Sequence, residues 1–276
     1  MASSFCPGKN KRINSACTYH EEIMKIEEYL SSLPSSIING DDIELPDNTI
    51  RDMLKFADLQ EKDVFYHLGC GTGKGIAIAV QEFGVKKAIG IDINKTKILE
   101  GQTFLKDKHI TSGSLRHEDI TIADMDDATV ILFWFSDEKI IQTMTERFKK
   151  LNPGCRIITI WGPLAGHMPD KVDFPFILNI TPFKKAESLR QQMLAIFDTD
   201  CIDFAVAWEF ADRYSKAISS RDSENDRFLT ILQTLVIWIN AKNLGVACGD
   251  DIPDPVRSYI GILKTFFNIE VEHLLK

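Results

Sequence analysis

The stretch "HLGCGTGKG", residues 67–75, puts glycines at positions 69, 71, 73 and 75, and two carboxylates, Asp92 and Asp119, follow further along. A strand that breaks into glycines before a helix lets a ligand approach the backbone and turns helix N–H groups toward negative charge. Spacing selects the ligand. A triphosphate loop needs Gly-x-x-x-x-Gly-Lys-Ser/Thr, but here the first glycine position falls on Leu68 and Gly75 replaces the hydroxyl. A dinucleotide turn needs Gly-x-Gly-x-x-Gly, and its third position is Lys74. The remaining pattern, Gly-x-Gly-x-Gly, suits a nucleoside ligand with no pyrophosphate.

These residues need a scaffold, and the surrounding texture supplies one. Val64–Leu68, Lys87–Ile93, Ala128–Phe135 and Arg156–Trp161 read as strands, apolar on both faces. Gly75–Phe83, Lys95–His109 and Asp137–Lys150 read as the helices between them. Apolar strands alternating with helices make a mostly parallel, doubly wound α/β sheet covered on both sides. "KVDFPFILNITPF" offers one or two more strands, expected at an edge because of its prolines. Ahead of the sheet, Ile23, Ile26, Tyr29, Leu30 and Leu33 have helical spacing, as do Ile50, Met53, Leu54 and Ala57. Beyond residue 183 three long helices are expected, with Phe204, Trp208, Phe210, Phe228, Trp238, Phe266 and Phe267 as their core. The divisions are a flexible tail (1–16), a ligand-binding α/β domain with N-terminal helices (17–183) and a helical C-terminal region (184–276).

The glycine turn, Asp92 and "HEDITIADMDDATVILFW" together resemble the first motifs of the class I, seven-stranded, Rossmann-like methyltransferases that bind S-adenosylmethionine. Over residues 44–180, through "LPDNTIRDMLKFADLQEKDVFYHLGCGTGKGIAIAVQEFGVKKAIGIDI" and "DDATVILFWFSDEKIIQTMTERFKKLNPGCRIITI", the chain resembles the small archaeal non-SET protein-lysine methyltransferases and the related non-SET histone lysine enzymes. That resemblance implies cofactor contacts at Pro46, Asp47, Gly69, Cys70, Gly71, Thr72 and Gly73. It also implies Asp92 on the ribose hydroxyls with Ile93 against the adenine, and Asp119 at the adenine amino group with Ile120 beside it. It implies a protein substrate with an exposed lysine, in a basic setting. Two positions depart from the pattern. His67 stands where an acidic residue usually anchors the cofactor's methionine end, and Glu44 replaces an aromatic residue. Both bear on activity, so a cofactor-binding protein without turnover and a small-molecule amine methyltransferase are the alternatives.

Phe133, Trp134 and Phe135, in "FWFS", end the fourth strand at the edge where ligands bind in open α/β sheets. They are candidates to wall off a lysine and steady its ammonium, Phe133 also touching the cofactor, although core packing is the commoner fate of such runs. His167, in "WGPLAGHMPDK", is the remaining catalytic candidate. The Asn/Asp-Pro-Pro-aromatic signature associated with planar nitrogens is absent, which disfavours nucleic-acid bases as acceptors.

Of 276 residues, 44% are hydrophobic and 26% charged, and the net charge is −8. The acidic balance disfavours a nucleic-acid surface. Six scattered cysteines with no Cys-x-x-Cys pair give no metal site, and a chain this long needs no disulfide framework. With neither a signal-like apolar run nor a stretch of membrane-spanning length, the expected setting is the cytoplasm, without a membrane partner.

Overall fold

The computed structural model describes residues 24–25, 44–135, 137–218 and 227–275. In chain order the strands are β1 (Met24–Lys25), β2 (Val64–Leu68), β3 (Lys87–Asp92), β4 (Gly113–His117), β5 (Val130–Phe133), β6 (Arg156–Ile160), β7 (His167–Met168), β8 (Lys171–Asp173), β9 (Phe176–Ile180), β10 (Lys184–Lys185) and β11 (Ile269–Glu270). The helices are α1 (Asp47–Phe56), α2 (Lys74–Phe83), α3 (Lys95–Asp107), α4 (Glu138–Phe148), α5 (Leu189–Phe197), α6 (Phe204–Ile218), α7 (Arg227–Asn243) and α8 (Asp254–Phe267).

Seven strands form one sheet in the order β4-β3-β2-β5-β6-β9-β8. All pairs from β4 to β6 are parallel, and β9 runs antiparallel to both its neighbours. The pleat sends successive residues to opposite faces. Phe65, Leu132 and Ile158 join α1, α2 and α3 in one core, while Tyr66, Ile131 and Ile157 join α4 in another. This is why the central strands are apolar throughout. Ile50, Met53 and Leu54 of α1 and Ala57 at its C-cap are buried together, as their spacing requires.

The C-terminal helices have a third core, centred on Phe210, Leu235, Trp238, Val256 and Leu263. Phe204 packs at its border and stacks on Tyr259, and Trp208 is half-buried beside Phe204. Phe266 and Phe267 are not core residues: they are 76% and 51% exposed on α8. The Phe228 side chain, the tail and most of the expected N-terminal helix lie outside the described residues.

Four expectations change. Met24–Lys25, expected as helix, pair in parallel with Ile269–Glu270, which ties the N-terminal segment to the helical region. The first long C-terminal helix is two helices, α5 and α6, broken where Asp198 takes a left-handed conformation at φ 54°. Of the two late strands only β8 is an edge; β9 lies inside the sheet, its ladder intact because Pro175 and Pro182 fall just outside it. Finally, Cys201 and Cys248 form a disulfide, their Cα atoms 5.0 Å apart. The adjacent Ile202–Ala247 bridge brings the two loops together. No described helix is long and apolar enough to cross a membrane.

Candidate active site

At the C-terminal ends of β2, β3 and β5 lies a cavity of about 430 Å³, within the range of small-molecule sites. The glycine turn forms its floor. Gly69 and Cys70 donate their N–H groups to Ile91 O at 2.8 and 3.1 Å, which moors the turn to the end of β3. Gly71 N–H donates to Asp92 Oδ2, and Asn94 N–H to Asp92 Oδ1, both at 2.8 Å. One carboxylate thus fixes the turn and the exit from β3, and each oxygen retains a lone pair for a ligand. Gly69 and Gly71 have φ of 73° and 54°, a region that penalises a side chain. A Cβ at Gly69 would also lie 3.0 Å from the Phe135 ring, and one at Gly71 would lie 2.9 Å from Glu44 Oε1.

Glu44 reaches over the turn from the segment preceding α1. Its Oε1 accepts Thr72 N–H at 3.0 Å and its Oε2 pairs with Lys74 Nζ at 2.8 Å. Burial works against the Glu44 charge, but Lys74 and Thr72 outweigh it and hold the carboxyl below its ordinary range. His67 lines the same end, is 7% exposed, and its Nδ1 has no hydrogen-bond partner. Around the cavity stand five carboxylates (Glu44, Asp92, Glu118, Asp119 and Asp137) and two lysines (Lys74 and Lys97). That balance favours a cation over a phosphate.

Residues 35–165 match the model of the family described as histone methylation protein DOT1. A protein-lysine N-methyltransferase of Saccharolobus islandicus (strain REY15A) is 29% identical over 131 residues, 47% of this chain and 81% of that protein. This chain is a class I methyltransferase that uses S-adenosylmethionine. Among solved structures, an RNA methyltransferase from Salinibacter ruber in complex with S-adenosyl-L-homocysteine resembles the methyltransferase at 25% identity, over 53% of this chain and 99% of that one, with a TM-score of 0.49.

The cavity suits this cofactor, which is a monocation with an adenosine at one end and an amino acid at the other. The carboxylate excess is the feature a triphosphate would not meet. Of the residues expected from sequence, His67, Gly69, Cys70, Gly71, Asp92, Ile93, Asp119, Ile120 and Trp134 line the cavity of the methyltransferase. Ile93 is 74% exposed, open for a base to cover. Asp119 Oδ1 accepts Thr121 N–H and hydroxyl, both at 2.8 Å, and these bonds lower its pKa. The Cys70 thiol is pushed far up by burial and is no nucleophile.

Other candidates lie elsewhere. Phe133 is a core residue, stacked on Phe135 at 4.9 Å and edge-on to Phe148 at 5.2 Å. Pro46 and Asp47 start α1 outside the lining, where their neighbours Glu44, Leu45 and Ile50 take the contact. Thr72 is outside the lining, its N–H held by Glu44, and Gly73 caps α2 against Leu115. His167 is away from the cavity, bonded to Ala165 O at 2.9 Å and edge-on to Phe183. Phe135, the third aromatic of "FWFS", also lines the cavity, whereas sequence reasoning missed Lys74 and noted Glu44 only as a departure.

The helical region reaches this site. Trp134 lines the cavity, and its indole lies near enough to the Tyr214 hydroxyl of α6 to oppose the rise that burial causes in the Tyr214 pKa. Tyr214 packs on Trp161 at 4.8 Å, and Thr49 Oγ1 of α1 donates to Ala217 O at 2.6 Å.

Burial pushes His67 from an ordinary 6.5 down to about 4, against the opposing pull of Asp92 and Glu44. The folded imidazole is therefore neutral where the unfolded one takes up a proton. Stability is full above pH 6.5 and falls as pH drops toward 4, by about 3 kcal/mol from this residue. In NMR the His67 ring resonances should stay unshifted between pH 8 and 5. A midpoint near 6.5 would refute the neutral assignment.

Proposed function

We propose that the methyltransferase transfers methyl groups to lysine side chains of proteins. The observation that carries this reading is the pair Trp134 and Phe135, which line the cavity immediately after β5. The family matched by residues 35–165 and the protein-lysine N-methyltransferase of S. islandicus support it. When bound, S-adenosylmethionine supplies a methyl group already activated on a sulfonium. The protein's own task is to align the acceptor at about 3–3.5 Å and exclude water. An acceptor lysine, ordinarily near pKa 10.4, must also lose its proton, which desolvation between aromatic walls promotes. Trp134, beside Tyr214, provides a wall and a face for the incoming ammonium.

The net charge of −8 favours a basic protein acceptor over a nucleic acid. The cytoplasmic setting expected from the sequence would keep Cys201 and Cys248 as thiols, whereas an oxidising one would let them bridge. Alkylation of thiols in freshly opened cells distinguishes the two.

The acceptor test uses methyl-labelled cofactor and a cell extract, untreated or with its lysines acetylated beforehand. Label should enter protein in the untreated extract and be lost after acetylation. Label that persists on acetylated protein, or enters RNA or small molecules, sinks the lysine reading. Trp134→Ala should lower the rate of transfer about 10–100-fold by loosening the acceptor, with cofactor affinity changed less than about three-fold. Equal loss of rate and affinity would instead make Trp134 a cofactor contact.

A further inference from the structure

S-adenosylmethionine ends in an amino acid, so its site must meet an ammonium and a carboxylate side by side. The glycine-turn end of the cavity offers few groups for this. His67 is neutral, and Asp92, which anchors the Gly71 and Asn94 N–H groups, keeps its remaining lone pairs for the ribose. Glu44 and Lys74 remain: both line the cavity, their charges 2.8 Å apart.

We propose that the Glu44–Lys74 pair is the receptor for the amino-acid end of the cofactor, Glu44 taking its ammonium and Lys74 its carboxylate. The assignment rests on S-adenosylmethionine being the ligand. Three observations converge on it. Glu44 gains access to the turn only because Gly71 has no Cβ, which would lie 2.9 Å from its Oε1. Lys74 is the first residue of α2, where the helix dipole disfavours a lysine and favours an anion, so a ligand carboxylate is drawn to the same point. His67 also lines this end but is neutral, so Glu44 is the charge beside the turn that can meet an ammonium. The negative charge missing from the strand end at position 67 is thus supplied from the segment before α1. The zwitterion replaces one mutual ion pair by two, with no net charge left over.

The test is calorimetric titration of wild type, Glu44→Gln and Lys74→Met with three ligands. These are S-adenosylmethionine, its decarboxylated analogue and 5′-methylthioadenosine, which lacks the amino acid. Glu44→Gln should weaken the first two by about ten-fold or more and leave methylthioadenosine within about two-fold. Lys74→Met should weaken S-adenosylmethionine by about ten-fold but not the decarboxylated analogue. Retained methylthioadenosine binding also verifies that each variant is folded. Unchanged or tightened S-adenosylmethionine binding in both variants, or equal weakening of all three ligands, overturns the assignment alone. Failure of wild type to bind any of the three would remove the cofactor reading and this assignment with it.

Discussion

Asp92→Ala is expected to weaken S-adenosylmethionine binding by about a hundred-fold. The carboxylate accepts the Gly71 and Asn94 N–H groups at 2.8 Å each, and hydrogen bonds to a charged group contribute roughly 1.5–3 kcal/mol apiece. Alanine leaves both donors without their acceptor, frees the glycine turn from the end of β3, and removes the acceptors assigned to the ribose hydroxyls. Losing about 3 kcal/mol of this from the binding free energy corresponds to about two orders of magnitude. Asp92→Asn keeps one acceptor oxygen but turns an NH₂ toward an N–H, so an intermediate loss of about ten-fold is expected. Calorimetry with cofactor checks both. Asp92→Ala binding within about three-fold of wild type would remove Asp92 from the site.

The second large effect concerns stability. Arg156→Met should destabilise the fold by about 3–5 kcal/mol, the cost of leaving a buried charge without its partner. Asp63 is 3% exposed. Its Oδ1 accepts from Arg156 Nη2 at 2.6 Å and Thr129 Oγ1 at 2.8 Å, and its Oδ2 accepts Gln60 N–H at 2.8 Å. Arg156 also donates to Ala57 O and Asp58 O at 2.7 and 2.6 Å. This network joins the end of α1 to the starts of β2, β5 and β6. Burial raises the Asp63 pKa, but Arg156, Gln60 and Thr129 more than offset it, leaving the carboxyl below its usual range. A carboxyl depressed on folding contributes stability above its unfolded pKa, near 4, and loses it as pH falls through the folded value. Without Arg156 that loss should begin at higher pH. Urea unfolding at pH 7 and pH 5 measures both effects, and a variant within about 1 kcal/mol of wild type at pH 7 would contradict the account. The double variant Asp63→Asn/Arg156→Met should be less harmed than Arg156→Met alone, because no charge is stranded.

Much of the site was legible because its parts are local in sequence. The turn, Asp92 and Asp119 follow strands whose apolar runs are unambiguous, and a parallel sheet places such residues on one edge. Glu44 was not legible. Its side chain reaches Thr72 and Lys74 only after α1 has docked on the sheet, a tertiary event with no local signature. Phe133 was misread through depth, since Phe135 shares its side of the strand and stacks on it. The last residue of β5 points into the core with Phe148, while Trp134 and Phe135, beyond the pairing, turn to the cavity. β4 escaped notice because "GSLRH" is an edge strand whose buried residue is Leu115, too little apolar pattern to register. The break between α5 and α6 has no proline or glycine to announce it.

The pairing of Met24–Lys25 with Ile269–Glu270 has a consequence for biogenesis. The ribosome works from the N-terminus, and domains can fold as they emerge, so the cofactor sheet can assemble while the helices are still being made. Met24 and Lys25 must wait, unseated, until the peptide beyond residue 270 has cleared the exit tunnel. Nascent chains stalled before that point should leave this segment open to protease, and release should close it.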